Sequence, residues 1–458
     1  MNGFPVSAEE FYRLRDDRTN LCCGDRAYQH TACVLHVSPA AATRPEVQVM
    51  VTVAANLLSR WCRKVTLVMP PMKADPALGL GGDDLGELVI AQMRDADPFG
   101  QFRLGERDDQ AYVTLDIGEG GTVPNGPNPV HINASGWLAA ISREEPTSLP
   151  VHGEPNWVGA IAAACLGVAQ VFKIAVGMPT SQYLRDGVLD MFQLAWSSDR
   201  NQSPWPADLN IGKILMVGAG SVGSAAAYCM RLAGLAGALT IVDKDLVEVE
   251  NFNRSPLFGR SAYGLNKAKT VEAFLNGSSL TSLGVPLWWN DFLLQHTRSS
   301  IDFDVWLPLA NEFEVRQAIQ HNVPPLMIHA STGNNWGVNH GRHIPGRDDC
   351  LVDRFPADTA PSFTCATGPI PTSAKPIDAA LPFASLFAGL LITADLVRAQ
   401  LPGYPQIPNF ALFDWYGPLN VIQAWDRIPR EGCICKEQGS SFHRLFNAGT
   451  KHWHLFGT

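Results

Sequence analysis

The chain is short of charge, of cysteine and of basic excess, and each shortage closes off a class of protein. Charged residues make up 17% of the 458 positions and hydrophobic ones 46%, a balance that disordered and tail-like proteins do not have. The 35 basic residues are outnumbered by 44 acidic ones, for a net charge of −9, and no basic stretch offsets this, so nucleic acid is not an expected partner. Ten cysteines are too few to scaffold a chain of this length, and Cys62 lies in RWCRK. That usage implies a reducing, cytoplasmic setting. The opening MNGFPVSAEEFYRLRDDR mixes both charges without an apolar centre, so no signal peptide is expected. Two apolar runs, Trp157–Phe172 and Ala379–Ala394, approach membrane length. The first is interrupted by Gln170 and followed by Lys173; the second contains Pro382 and meets Asp395. Both are rich in small residues, as helices packed inside a protein are, and no membrane partner is expected.

What the chain does have is length and repetition. It exceeds one ordinary core, so two or three domains are expected. An apolar strand at Cys33–Val37, a helical stretch at Glu46–Trp61 and a strand at Val65–Met69 recur as Lys213–Val217, Val222–Leu235 and Ala238–Val242. PVHINASGW at Pro129–Trp137 pairs with PLMIHASTGNNWG at Pro325–Gly337, and small-residue helices follow at Gly159–Lys173 and Phe383–Arg398. Strand–helix alternation of this kind predicts an α/β fold of two tandem Rossmann-like halves, 1–200 and 201–458, with mainly parallel sheets. The offset between halves is 180 residues from Val34 to Ile214, 196 from Ile132 to Ile328, and about 225 from Ile161 to Leu386. The second half therefore carries an insertion, at about 332–382, which holds Cys365 in APSFTCATGPIPTSAKP. The polar stretch Ser197–Asn210 is the expected joint.

Only the second half has a phosphate-binding signature. Gly218-Ala-Gly220-Ser-Val-Gly223 follows a strand and opens a helix, and Asp243 ends the next strand. The first glycine permits the turn, the second the approach of a phosphate, and the third close helix–strand packing, while the Asp is placed for ribose hydroxyls. The matching loop of the first half, Ser38–Pro45, has no glycine and two prolines. That half is expected to be degenerate, leaving one nucleotide site per chain. A glycine fingerprint alone would also suit a nicotinamide-dependent oxidoreductase. However, Asn251, Arg254 and Lys267 follow Asp243 in VDKDLVEVENFNRSPLFGRSAYGLNKAKT. Cations suit an anionic attack on the α-phosphate of ATP more than hydride transfer.

With these residues the chain resembles the ThiF/MoeB and ubiquitin-activating enzyme superfamily, closely over Ile214–Lys267 and in its two-halved plan throughout. The resemblance implies ATP-dependent adenylation of the C-terminal carboxylate of a ubiquitin-like protein ending in glycine. It also implies transfer to a cysteine as a thioester, for which Cys365 stands in the matching region, and a downstream conjugating enzyme. Arg254 and Lys267 would be catalytic, and would bind the nucleotide together with Gly218, Gly220, Gly223, Asp243 and Asn251. Magnesium is implied too, but Asn311 stands where the family has a metal-binding Asp, which leaves a neutral oxygen donor. One arginine of the first half, among Arg13, Arg15 and Arg18, would reach the phosphates. Relatives hold a structural zinc with two C-x-x-C pairs; here Cys350 is isolated and Cys433/Cys435 form C-x-C. That set is a ligand short and wrongly spaced, so zinc is not expected unless a side chain such as His443 completes it. Cys22, Cys23, Cys33, Cys62, Cys165 and Cys229 read as packing or surface residues. The competing readings are a sulfur-carrier adenylyltransferase, an NAD-dependent oxidoreductase and a non-catalytic binding partner. A homodimer is compatible with the sequence.

Overall fold

A computed structural model describes residues 3–23, 27–78, 84–106, 110–119, 126–151, 155–295, 303–333, 336–354, 381–433, 435 and 451. The first half forms an eight-stranded sheet from β1 (Ala32–Val37), β2 (Lys64–Val68), β3 (Gln101–Leu104), β4 (Val113–Ile117), β5 (Pro129–Ser135), β6 (Leu138–Ser142), β7 (Gly187–Asp190) and β8 (Ala195–Ser197). The second half repeats it with β9 (Asn210–Val217), β10 (Ala236–Val242), β11 (Leu280–Val285), β12 (Val305–Pro308), β13 (Met327–Gly333), β14 (Gly337–His343), β15 (Phe410–Asp414) and β16 (Gln423–Trp425). The strand orders are the same, β3-β2-β1-β4-β5-β6-β7-β8 and β11-β10-β9-β12-β13-β14-β15-β16. In each sheet the first five strands in this order pair in parallel and the last three antiparallel. The expected α/β plan of two Rossmann-like halves is therefore the observed one. The antiparallel extensions were not legible as such, because β8 and β16 are three residues long and too short to carry a period. Between β8 and β9 the chain has neither helix nor strand.

Four helices, Pro45–Ser59, Val158–Ala175, Ser221–Leu232 and Pro382–Arg398, contribute to one hydrophobic core shared by the two halves. Val158–Ala175 is long and apolar enough to span a membrane, yet it is buried along its whole length. Helix Pro382–Arg398 is buried likewise, so the two apolar runs are core helices here. Close approach needs glycine at one point: a Cβ on Gly389 would lie 2.4 Å from the backbone nitrogen of Ala226 on the glycine-loop helix. Aromatic contacts cross the join, with Phe172 of the first half 5.4 Å from Trp336 and 5.9 Å from Phe383 of the second. Lys173 is anchored across the same join, its Nζ donating to the carbonyls of Gln182 (2.6 Å) and Gly417 (2.6 Å).

The repeat at the first strand is not offset by the expected 180 residues. Cys33 and Leu35, not Val34, join the shared core that Ile214 joins, so Val34 and Ile214 lie on opposite faces of their sheets. A one-residue slip moves a strand's side chains to the opposite face, and runs buried on both faces hide that slip in the sequence. The outer faces differ. That of the second sheet is apolar, with Leu215, Val217, Trp306 and Met327 packed against Trp289, Phe292 and Ile319 of its covering helices. The matching face of the first sheet holds Asp116 between two imidazoles, His36 at 2.5 Å and His131 at 3.0 Å.

Candidate active site

The glycine loop links β9 to helix Ser221–Leu232, and its three glycines do different work. Gly218 has φ +101°, and a Cβ on it would come within 2.8 Å of the Ala310 nitrogen at the end of β12. A Cβ on Gly223 would meet the Gly218 carbonyl oxygen at 2.2 Å, so helix and turn could not close. Gly220, at the helix N-cap, has nothing within 4 Å of that position. The open space lies where the free N–H groups of a helix start face, as an anion requires. The degenerate loop of the first half is built otherwise. Pro45 occupies the first turn of its helix and removes a donor, Ala41 and Ala42 are buried, and Arg44 turns back to the Ala134 carbonyl at 2.8 Å.

A cavity of about 370 Å³ opens over the glycine loop. Gly218, Gly220, Asp243, Asn251, Arg254, Lys267 and Asn311 all line it, together with Arg18 of the first half. Gly223 packs beneath. Asp243 is fixed by backbone donors, Ala219 N–H at 2.6 Å and Asp245 N–H at 2.8 Å; burial pushes its carboxyl up against those bonds. Lys267 opens a helix and lies 3.2 Å from Asp245. Burial opposes ionisation of Asp245, but its hydrogen bond with Lys244 and the charge of Lys267 hold its carboxyl below the usual range. Asn251 accepts the Glu248 N–H at 2.9 Å through Oδ1, which orients its amide at the cavity wall. Arg254 donates to Asn253 Oδ1 at 2.9 Å and to the Glu250 carbonyl.

The three candidate arginines of the first half separate cleanly. Arg13 is exposed on helix Ala8–Arg15 and does not line the cavity. Arg15 is fully buried between Asp16 (2.6 Å) and Asp97 (2.5 Å), as an internal ion pair. Arg18, one turn on, reaches the cavity wall and pairs with Glu250 at 3.2 Å. Phe11 holds this N-terminal segment down by packing with Val247, Val249, Phe252 and Phe258 of the second half. A second cross-half contact escaped the sequence reading. Buried Arg60 donates to the carbonyls of Phe252 (2.9 Å) and Pro256 (2.8 Å), gripping the loop that carries Arg254. Burial pushes its guanidinium down to about 10, so it stays charged at neutral pH. Trp288, Glu312, Arg316 and His329 also line the cavity; no spacing marked them. Lys244 sits 3.7 Å over the Trp288 ring, a cation–π contact at the rim.

Asn311 stands in the loop just after β12 and lines the cavity, with Glu312 beside it. A magnesium ion carried in with nucleotide phosphates would meet one amide oxygen and one carboxylate there, a fit of oxygen donors but a weakly charged one. Cys365 and His443 lie outside the described residues. Cys33, Cys62, Cys165 and Cys229 are buried, and burial pushes Cys62 up to about 12, so these thiols pack rather than react.

The three cysteines that spacing kept apart meet in the structure. Cys350, Cys433 and Cys435, distant along the chain, bring their sulfurs within 4.8 Å of one another, all buried. Sequence spacing was the wrong measure, because the turn after β14 and the segment after β16 meet in space. Contact with Cys435 and then burial push the Cys350 thiol well up, a cost that a bound thiophilic cation would remove. The three residues fit a structural metal.

The fold thus defines a chain of two Rossmann-like halves sharing one core, with a phosphate-type glycine loop in the second alone. Comparison with known families agrees: residues 204–367 match the ThiF family model and residues 32–187 match the BilD N-terminal domain model. The second half carries a ThiF-family domain. A curated relative, the "uncharacterized protein y4jF" of Sinorhizobium fredii (strain NBRC 101917 / NGR234), is 30% identical over 204 residues, 44% of this chain and 38% of its own length. The chain therefore spans well under half of that relative. Among solved structures, E. coli MccB with MccA-N7isoASN is 16% identical, covering 49% of this chain and 66% of that one at a TM-score of 0.38. The microcin C7 biosynthetic enzyme MccB in complex with N-formylated MccA is also 16% identical, covering 49% and 67%, at a TM-score of 0.38.

Proposed function

We propose that this chain uses ATP to adenylate the C-terminal carboxylate of a ubiquitin-like protein and then takes the acyl group onto Cys365. The observation that carries the reading is the convergence of Arg18, Arg254 and Lys267 on a glycine-loop cavity beside Asp243. A carboxylate oxygen attacks the α-phosphorus, the bond to the bridging oxygen of the β-phosphate breaks, and pyrophosphate leaves. Both reactants are anions, so fixed cations lower the barrier by stabilising charge already spread over the phosphates. Asp243 holds the ribose and Asn251 the nucleotide, while Gly220 leaves room for phosphate at the helix start. Asn311 and Glu312 line the cavity and would hold magnesium brought by ATP, which would supply positive charge for the leaving pyrophosphate. A thiolate of Cys365 then attacks the acyl carbon and AMP departs.

The match of the first half to a BilD N-terminal domain favours a bacterial ubiquitin-like system over a sulfur-carrier pathway, and hence a conjugating enzyme as the next partner. The test separates the two steps. Cys365→Ala should keep ATP–pyrophosphate exchange in the presence of the ubiquitin-like protein and lose the thiol-sensitive adduct on a non-reducing gel. Lys267→Ala should depress the exchange itself. An adduct formed at the normal rate by the Cys365→Ala protein would remove Cys365 from the reading.

A further inference from the structure

We propose that Glu250 is a positioning residue for the phosphates: its carboxylate holds Arg18 of the first half and Arg254 of the second, yields them to ATP, and takes them back as pyrophosphate leaves. The inference rests on the adenylation reading and adds to it a residue that sets phosphate affinity. One carboxylate oxygen carries it. Glu250 Oε1 lies 3.2 Å from Arg18 Nη2 and 4.0 Å from Arg254 Nη2, so a single anionic oxygen stands between the guanidinium groups of both halves. All three residues line the cavity over the glycine loop. Carboxylate and phosphate oxygens accept the same charge-assisted hydrogen bonds from a guanidinium fork. The chain's own acid therefore marks a place between the halves where a phosphate oxygen fits.

The three side chains differ in how firmly they are held. Glu250 belongs to the short turn Val249–Asn251, which is closed by reciprocal bonds between Glu248 and Asn251, while Val249 packs with Phe11 and Phe252. The turn is fixed, and only the carboxylate reaches into solvent. Arg254 has further anchors in Asn253 Oδ1, at 2.9 Å, and the Glu250 carbonyl, so it keeps its aim without the carboxylate. The side chains of Arg254 and Arg18 are 10% and 21% exposed, against 43% for Glu250. The acid is thus the member that turns away into water, and the cations stay behind for the phosphates. Lys267 repeats the arrangement, its side chain 12% exposed and that of its partner Asp245 48% exposed. A displaced carboxylate remains close to the bound phosphates and repels them through a partly wet medium. Glu250 therefore weakens phosphate binding and eases the release of pyrophosphate.

Calorimetric titration of the full chain with magnesium pyrophosphate tests this without ATP or turnover. Glu250→Gln keeps the shape and an acceptor oxygen but removes the charge. It should bind pyrophosphate about fivefold tighter, the scale of one screened unit charge at such a site. Glu250→Asp keeps the charge and should stay within about twofold of the unaltered chain. In ATP–pyrophosphate exchange the KM for ATP should fall in Glu250→Gln while kcat does not rise; loss of a merely structural acid would raise KM. If melting curves show Glu250→Gln to be unfolded, Glu250→Ala is titrated in its place, with the same expectation. Equal or weaker pyrophosphate affinity in the folded neutral variant, or a gain in Glu250→Asp as large as in Glu250→Gln, would overturn the proposal. A chain that binds pyrophosphate tighter as Glu250→Gln but shows no exchange in either form would count against adenylation and leave this assignment standing.

Discussion

Three arginines stand within six positions, and one turn of helix decides what each is for. Arg15 and Arg18 differ in sequence by nothing that marks one as structural. The structure buries Arg15 between two aspartates and brings Arg18 to the cavity with Glu250. Arg18→Ala should leave the melting temperature within a degree or two and cut pyrophosphate exchange at least tenfold, because it removes a cation from the reacting phosphates. Arg15→Ala should instead destabilise by about 3–5 kcal/mol, since Asp16 and Asp97 would be left buried without their partner. Thermal melts with exchange assays on the same two proteins check both. Glycine spacing was legible because the turn itself demands it, with Gly218 at positive φ and Gly223 against the Gly218 carbonyl; the choice among arginines was not, because tertiary packing makes it. The thiol cluster was illegible for the same reason, its members meeting only when β14 and the chain beyond β16 are in place.

At the level of elements, the repeat was readable wherever a strand and its following helix carried a period, and the helices around Gly159–Lys173 and Phe383–Arg398 fell where expected. The misjudged offset at β1 came from a strand buried on both faces, where alternation gives no register. The glycine-loop helix depends on a neighbour far along the chain. Gly389→Ala would drive a Cβ into the backbone of Ala226, at 2.4 Å before relaxation, and one helix must shift. The expected cost is about 1–3 kcal/mol, in the range of overpacked cores. Because Ala226 lies on the helix that presents Gly220, nucleotide affinity should fall along with the melting temperature. Equal ATP affinity in a folded Gly389→Ala protein would show that the two helices are not coupled.

Across the whole molecule, the halves are joined by a shared core and by buried polar ties, of which Lys173 is the most sensitive to pH. Burial lowers its pKa to about 7, against 10.5 for the ordinary amine, even though carbonyls of both halves receive its hydrogens. Between those values the unfolded chain binds a proton that the folded one does not, so this group makes stability rise with pH from about 7 to about 10.5. The stability of the native chain minus that of Lys173→Met should follow that rise in denaturant titrations; a flat difference would mean the ammonium persists in the fold. The same joining explains why a half without a phosphate loop remains: it supplies Arg18 and, through Arg60, grips the Arg254 loop. One half binding and the other lending a cation is the central claim, and calorimetric titration of the full chain with magnesium ATP tests it directly. The account predicts one site per chain, abolished by Asp243→Ala; two equivalent sites, or a site that survives that substitution, would contradict it.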